Sequence, residues 1–184
     1  MSWTIREGRI DEVDRLVALR CAMFEGMGQD DPEVLGWVAE ASRKYFLENM
    51  PTGRFRVWVA VASGVGTGGV AGSGQSGTGE GESSASIEPD NGELIASVGL
   101  VVHSAPPRPS NLVGKTGYIM NLVTLPPWRR RGIARALLSH VIGVLRAEGV
   151  PLVTLHASEG GRGLYEELGF AVKDDLPEMR LRLG

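Results

Sequence analysis

The chain has 184 residues, a length that suits one domain. Its 19 Lys and Arg against 22 Asp and Glu leave a net charge of −3, which argues against a dedicated nucleic-acid binder, and its 42% hydrophobic content excludes global disorder. No run reaches the roughly 18 apolar residues of a membrane span, the N-terminal MSWTIREGRI lacks a signal-peptide core, and the lone Cys21 offers no internal disulfide, so a cytoplasmic protein with no membrane or nucleic-acid partner is expected.

Residues 3–6 read as a short strand. Residues 11–27 read as a helix, with Val13, Leu16, Val17, Leu19 and Phe24 at mostly helical spacing and Cys21 expected to be buried within it. Pro32 suits the first turn of a second helix over residues 33–50, whose Trp37, Tyr45 and Phe46 are expected in the core. Between the helices, Glu25, Asp30, Asp31 and Glu33 cluster without an intervening Lys or Arg. Such a patch either suits a cationic ligand or is a solvated helix start.

Arg56–Ala62 (RVWVAVA) and residues 93–102 (ELIASVGLVV) are both strand-like. Between them lies a stretch made almost wholly of Gly, Ser, Thr and Ala. It accounts for the excess of glycine, 26 residues or about 14% against roughly 7% on average. Residues 63–92 are therefore read as a flexible insertion in a hairpin, ending in the turn dipeptide Asn91-Gly92. The insertion matches G-x-G-x-x-G twice, over residues 64–69 and 72–77. A dinucleotide fingerprint needs a helix to open there, and a Gly/Ser run cannot supply one.

Pro106, Pro107 and Pro109 mark an irregular loop. Residues 116–124 (TGYIMNLVT) form a strand that Leu125-Pro126-Pro127-Trp128 breaks. Residues 132–148 are strongly amphipathic, with Ile133, Leu137, Val141 and Leu145 on one stripe, and Gly149 and Pro151 stop the helix. Residues 152–156 read as a strand, 162–168 as a short helix closed by Gly169, and 171–183 as one or two closing strands. The order predicts an α/β fold, a mixed sheet with helices on its faces.

The chemistry concentrates after residue 120. Arg129, Arg130 and Arg131 run into Gly132-Ile133-Ala134-Arg135 at a helix start. The first N–H groups of a helix lack internal partners and carry positive potential, so such a terminus attracts phosphate. Arginine adds charge-assisted donors, and glycine lets a ligand approach the backbone. No Gly-Lys-Ser/Thr follows, so this is not a P-loop. The three histidines and Cys21 show no metal-ligand spacing, and no G-x-S-x-G elbow is present.

The run 129–134 resembles the Arg/Gln-x-x-Gly-x-Gly/Ala loop of the GCN5-related N-acetyltransferase (GNAT) family. Leu122-Val123-Thr124-Leu125-Pro126 resembles that family's fourth strand and its exit. Leu164-Tyr165-Glu166-Glu167-Leu168-Gly169-Phe170 resembles its Leu-Tyr-Glu-x-x-Gly-Phe segment. The resemblance implies a GNAT-like acyl-CoA acyltransferase fold over residues 1–184. A central twisted sheet would be flanked by about four helices, with a splay between the fourth and fifth strands. It implies acetyl-CoA as donor and an amine on a small molecule or protein as acceptor, with no metal, and it allows a homodimer.

By the same resemblance, the backbone of Leu122, Val123 and Thr124 would hold the pantetheine arm, and a backbone N–H near Val123 would meet the oxyanion. Arg129, Arg130, Arg131, Gly132, Ile133, Ala134 and Arg135 would hold the pyrophosphate. Tyr165 would protonate or hydrogen-bond the leaving thiolate. Ser158 stands where the family often has Asn. Glu25 and Asp30 would line the acceptor side. The family's fourth-strand Glu is missing, since Met120 and Asn121 occupy that region, and water, Glu25, Glu178 or His156 are left as bases. That absence leaves an alternative: a non-catalytic acyl-CoA sensor or interaction module on the same fold.

Overall fold

The structure, a computed structural model, describes residues 2–63, 92–173 and 179–182. Among these described residues five strands form, β1 (Trp3–Glu7), β2 (Arg56–Ala62), β3 (Leu94–Ser104), β4 (Lys115–Thr124) and β5 (Leu152–Leu155). Four α-helices join them, α1 (Val13–Glu25), α2 (Pro32–Asn49), α3 (Ile133–Ala147) and α4 (Arg162–Glu167). The strands make one sheet in the order β1-β2-β3-β4-β5. Every pair is antiparallel except β4–β5. A parallel pair cannot be closed by a tight turn, and α3 supplies the crossover.

The inner strands are apolar on both faces because helices cover both. On one face, Leu137, Leu138, Val141 and Leu145 of α3 pack with Trp58, Ile95 and Ile119. On the other, Val13, Leu16 and Leu19 of α1 and Phe46 of α2 pack with Val59, Val61 and Val123. The apolar stripe read in α3 is buried as expected, each member at most 1% exposed. Gly117 sets how closely α3 lies on β4: a Cβ there would meet Leu145 Cδ1 at 2.8 Å. At the start of α2, Asp31 accepts from Glu33 N at 2.9 Å, a side-chain cap that Pro32 does not disturb. Among the described residues no helix is long and apolar enough to cross a membrane.

Three sequence expectations need correction. Trp37 is 70% exposed and Tyr45 is also exposed, while Phe46 is buried and stacks on Phe55 at 5.0 Å. Trp37 and Phe46 stand nine residues apart, about two and a half turns, so they lie on opposite faces of α2. Cys21 is only partly buried, at the margin of the α1 cluster. The closing strands expected over residues 171–183 do not form at 171–173 or 179–182, where Met179 and Leu181 stand almost fully exposed. Residues 64–91, with both glycine motifs and Asn91, and Glu178 lie outside the described residues.

Candidate active site

β5 pairs with β4 only from Thr116–Leu152 to Ile119–Leu155. β4 runs on to Thr124 and β5 turns away, so the two strands splay. The β4 edge past Ile119 opens on a cavity of about 610 Å³, walled by β4, the C-terminal end of α1 and the segment from Leu155 to Tyr165.

At the mouth of the splay β4 is bulged. Gly99 pairs with Met120 and Ser97 with Val123, so β4 carries one residue more than β3 there. Asn121 takes up the surplus at φ 55°, a left-handed conformation that Asn tolerates better than most residues. Its side-chain oxygen accepts from Arg20 of α1, whose Nε also donates to Ser42 Oγ at 2.9 Å and whose guanidinium lies 4.9 Å from the Phe24 ring. Burial pushes the Arg20 pKa down, and these neutral partners hold the cation against the bulge. Arg20 did not stand out in the sequence. The bulge turns Ile119 and Leu122 both toward α3 although they stand three residues apart.

The ladder assigns the backbone donors. Leu125 N–H donates to Ile95 O at 2.9 Å. Hydrogen-bonded pairs alternate in an antiparallel ladder, so Val123, two residues back, turns its N–H toward Ser97 on β3. The N–H groups that face the open edge belong to Leu122 and Thr124. Val123, expected from the sequence to offer its N–H to the oxyanion, thus turns that N–H to β3, while its neighbour Leu122 turns its own to the open edge. The Val123 side chain is buried against α1. Thr124 Oγ1 is buried without a hydrogen-bond partner, and Thr124 O accepts from Arg129 Nε at 3.1 Å.

Beyond β4, a 3-10 turn (Pro126–Trp128) leads into the arginine run. Arg130 and Gly132 adopt φ 59° and 76°, which folds the loop under the start of α3. Gly132 is the N-cap of α3 and gives no side-chain cap, so the first N–H groups of the helix lack a side-chain acceptor. A Cβ at Gly132 would meet nothing within 4 Å, so its backbone angle is what calls for glycine. Arg129 and Ala134 line the cavity. Arg131 lies over the Trp128 ring at 5.1 Å and donates to Pro127 O. Arg135 pairs with Glu167 of α4. The Ile133 side chain is core, leaving only its backbone for a ligand.

Tyr165 and Ser158 both line the cavity. Tyr165 is half-buried among the α3-side apolar residues, its ring 6.1 Å from Phe170, and burial pushes its phenol pKa up. Gly161 makes room for both: a Cβ there would stand 3.0 Å from Tyr165 Cε2 and 3.2 Å from Ser158 Oγ. Tyr118 and His156 also face the cavity, with Tyr118 Oη 2.8 Å from His156 Nδ1. Nothing local marked Tyr118, whose partner is 38 residues away in the chain. Glu25 and Asp30 are exposed and lie outside the cavity wall, which takes Met23, Gly26 and Met27 from that region.

Comparison with known proteins agrees with this architecture. The family described as the Acetyltransferase (GNAT) family matches residues 75–170. A curated glucosamine 6-phosphate N-acetyltransferase of Trypanosoma brucei brucei is 30% identical over 92 residues, 50% of this chain, and the match spans 59% of that relative's length. A GCN5-related N-acetyltransferase of Ralstonia eutropha JMP134 superposes with a TM-score of 0.72 at 25% identity, covering 97% of this chain and 99% of that one. A protein of Clostridium acetobutylicum described as a predicted acetyltransferase, solved with acetyl-CoA, superposes with a TM-score of 0.74 at 21% identity, covering 97% of this chain and 96% of that one.

Proposed function

We propose that this chain, which belongs to the acetyltransferase (GNAT) family, moves an acetyl group from acetyl-CoA to a primary amine of a small molecule or protein. One observation carries the reading: the open edge of β4 runs along the cavity and ends at the uncapped, arginine-flanked start of α3. A polyanionic ligand with a long amide-bearing arm fits that track. The arm meets the Leu122 and Thr124 backbone, with the orphaned Thr124 hydroxyl beside it, and the phosphates meet the N–H groups of residues 133–135.

Acetyl-CoA supplies an electrophilic thioester carbonyl and a thiolate leaving group. The Leu122 N–H, fixed by the bulge, donates to the carbonyl oxygen as it gains charge, and such a donor is worth about 3 kcal/mol. Tyr165 hydrogen-bonds the departing sulfur. Its raised pKa keeps the phenol protonated at neutral pH, and a thiol is already the stronger acid, so it acts as a donor that keeps its proton. Arg129 holds the exit of β4 in place through Thr124 O. Ser158 offers a hydroxyl to the arm.

The acceptor is an amine that enters between α1 and the splay. Amino sugars are the first to try, since the trypanosomal relative is named for glucosamine 6-phosphate. Cys21, the chain's one cysteine, is an unpaired thiol that suits a reducing cytoplasm.

Calorimetric titration with acetyl-CoA, followed by free-thiol release with an amine panel, tests the reading. Micromolar binding with amine-dependent release is the expected result. Binding without release across the panel favours the sensor alternative, and absence of binding removes the role given to the Arg129–Arg135 loop.

A further inference from the structure

We propose that Tyr118 and His156 form the proton-accepting pair of the acyl transfer, the Tyr118 hydroxyl taking a proton from the amine nitrogen as it passes its own to Nδ1 of His156. The inference rests on the acetyltransferase reading and fills the role that the missing β4 glutamate leaves open.

Four observations place the pair. Tyr118 Oη stands 2.8 Å from His156 Nδ1, with the rings edge-on at 5.7 Å and 80°. Both side chains line the cavity that Tyr165 also lines. His156 follows Leu155, the last β5 residue paired with β4, so it stands where the two strands part, and the bulge at Asn121 lies two residues past Ile119 on β4. No Asp or Glu is found among the described residues that line the cavity.

The face of the sheet is decisive. Val153 and Leu155 pack toward α3, so the alternation of a strand turns His156 to the α1 face. Met120 packs into the α1 cluster, and Tyr118, two residues earlier on β4, shares its face. Tyr165 reaches the cavity from the α3 side. Proton uptake from the amine and hydrogen bonding to the sulfur thus occupy opposite sides of the opening. The His103 ring of β3 lies 6.3 Å from that of Tyr118 on this face.

The step balances. The amine enters neutral, its nitrogen forms a bond to the acetyl carbon, and the C–S bond breaks, its electron pair leaving on sulfur. The nitrogen's proton goes to the Tyr118 oxygen, and the Tyr118 proton goes to His156 Nδ1. The imidazolium returns that proton to solvent, and the thiolate collects one from solvent while Tyr165 holds it.

The test uses His156→Gln, whose amide can still accept from Tyr118 but is not a base, and Tyr118→Phe. With the fastest amine of the panel, each variant is expected to lose about 100-fold in kcat at pH 7. Acetyl-CoA affinity by calorimetry is expected to stay near that of the unmodified protein, which also shows that each variant folds. The deficit is expected to shrink as the pH is raised, because hydroxide can then take the proton in place of the pair. Wild-type kcat in His156→Gln overturns the pair. Wild-type kcat in Tyr118→Phe beside a slow His156→Gln overturns the relay. A deficit in KM alone, or one that persists unchanged at high pH, overturns the proton-transfer role. Should the unmodified protein bind acetyl-CoA yet release no thiol with any amine, the acetyltransferase reading falls and takes the pair with it. Turnover by the unmodified protein matched by both variants removes the pair alone.

Discussion

At Tyr165, burial and chemistry pull in one direction. A phenol whose pKa is pushed up stays neutral through the pH range of an assay, so it donates a hydrogen bond steadily and contributes no alkaline limb to a rate profile. Tyr165→Phe is expected to lower kcat roughly 10- to 100-fold and to leave the shape of the pH profile unchanged, measured by thiol release from pH 6.5 to about 9. Gly161→Ala is expected to push the Tyr165 ring and the Ser158 hydroxyl by a few tenths of an ångström, raising KM for acetyl-CoA with little loss of thermal stability. Arg20 acts on the site through Asn121. Arg20→Met keeps the bulk of the side chain but removes both polar tethers, and it is expected to cost about 1–2 kcal/mol in denaturant unfolding and to lower kcat, because the bulge that aims Leu122 N–H loses its anchor.

Among the elements, α3 connects the core to the loop. Its apolar stripe was plain in the sequence because a helix buried on one side must repeat every three or four residues. The contact that fixes its height over the sheet was not. Gly117 reads as an ordinary strand glycine, and only the packed structure shows Leu145 in the space a side chain would fill. Gly117→Val is expected to lift α3 and move its N-terminus, weakening acetyl-CoA binding by calorimetry at least tenfold and lowering the melting temperature. Leu137→Ala, deeper in the same stripe, is expected to cost about 2–5 kcal/mol in denaturant unfolding. The bulge in β4 was not read from the sequence either, since the partner that holds Asn121 comes from α1, 101 residues away in the chain.

Across the whole molecule, two paired carboxylates brace the fold, one buried among near neighbours in the chain and one bridging distant segments. Glu12 is 2% exposed and receives both terminal nitrogens of Arg6 at 2.7 Å, with Arg9 and Arg15 also within ion-pair distance. Burial pushes its pKa up, but the arginines and the Arg9 N–H outweigh this, and the result lies below the ordinary value of 4.5. Glu148, at the end of α3, bridges to Arg56 of β2, and that hydrogen bond lowers its pKa as well. A carboxylate with a depressed folded pKa stabilises the fold above its unfolded pKa, and the stabilisation is lost as pH falls through the folded value. Thermal stability is therefore expected to hold near neutrality and fall below about pH 4.5, followed by calorimetry or circular dichroism. Glu12→Gln is expected to cost about 2 kcal/mol at neutral pH, since its arginine partners are partly solvated, and to flatten that acid slope.

By itself the sequence determined the order of the strands and helices up to α4 and their bounds to within two residues, the start of α3 beneath its arginines, and the family resemblance, because each is written in neighbouring residues through periodicity, turn chemistry and short motifs. Tertiary structure decided what depends on residues far apart in the chain. The ladder turned Val123 N–H to β3 and left Leu122 at the open edge; packing exposed Trp37, kept Glu25 and Asp30 out of the cavity, and brought Tyr118 to His156. A hydrogen-bond direction or a cavity wall is set by the partner strand or helix, and the local sequence carries no record of which partner arrives.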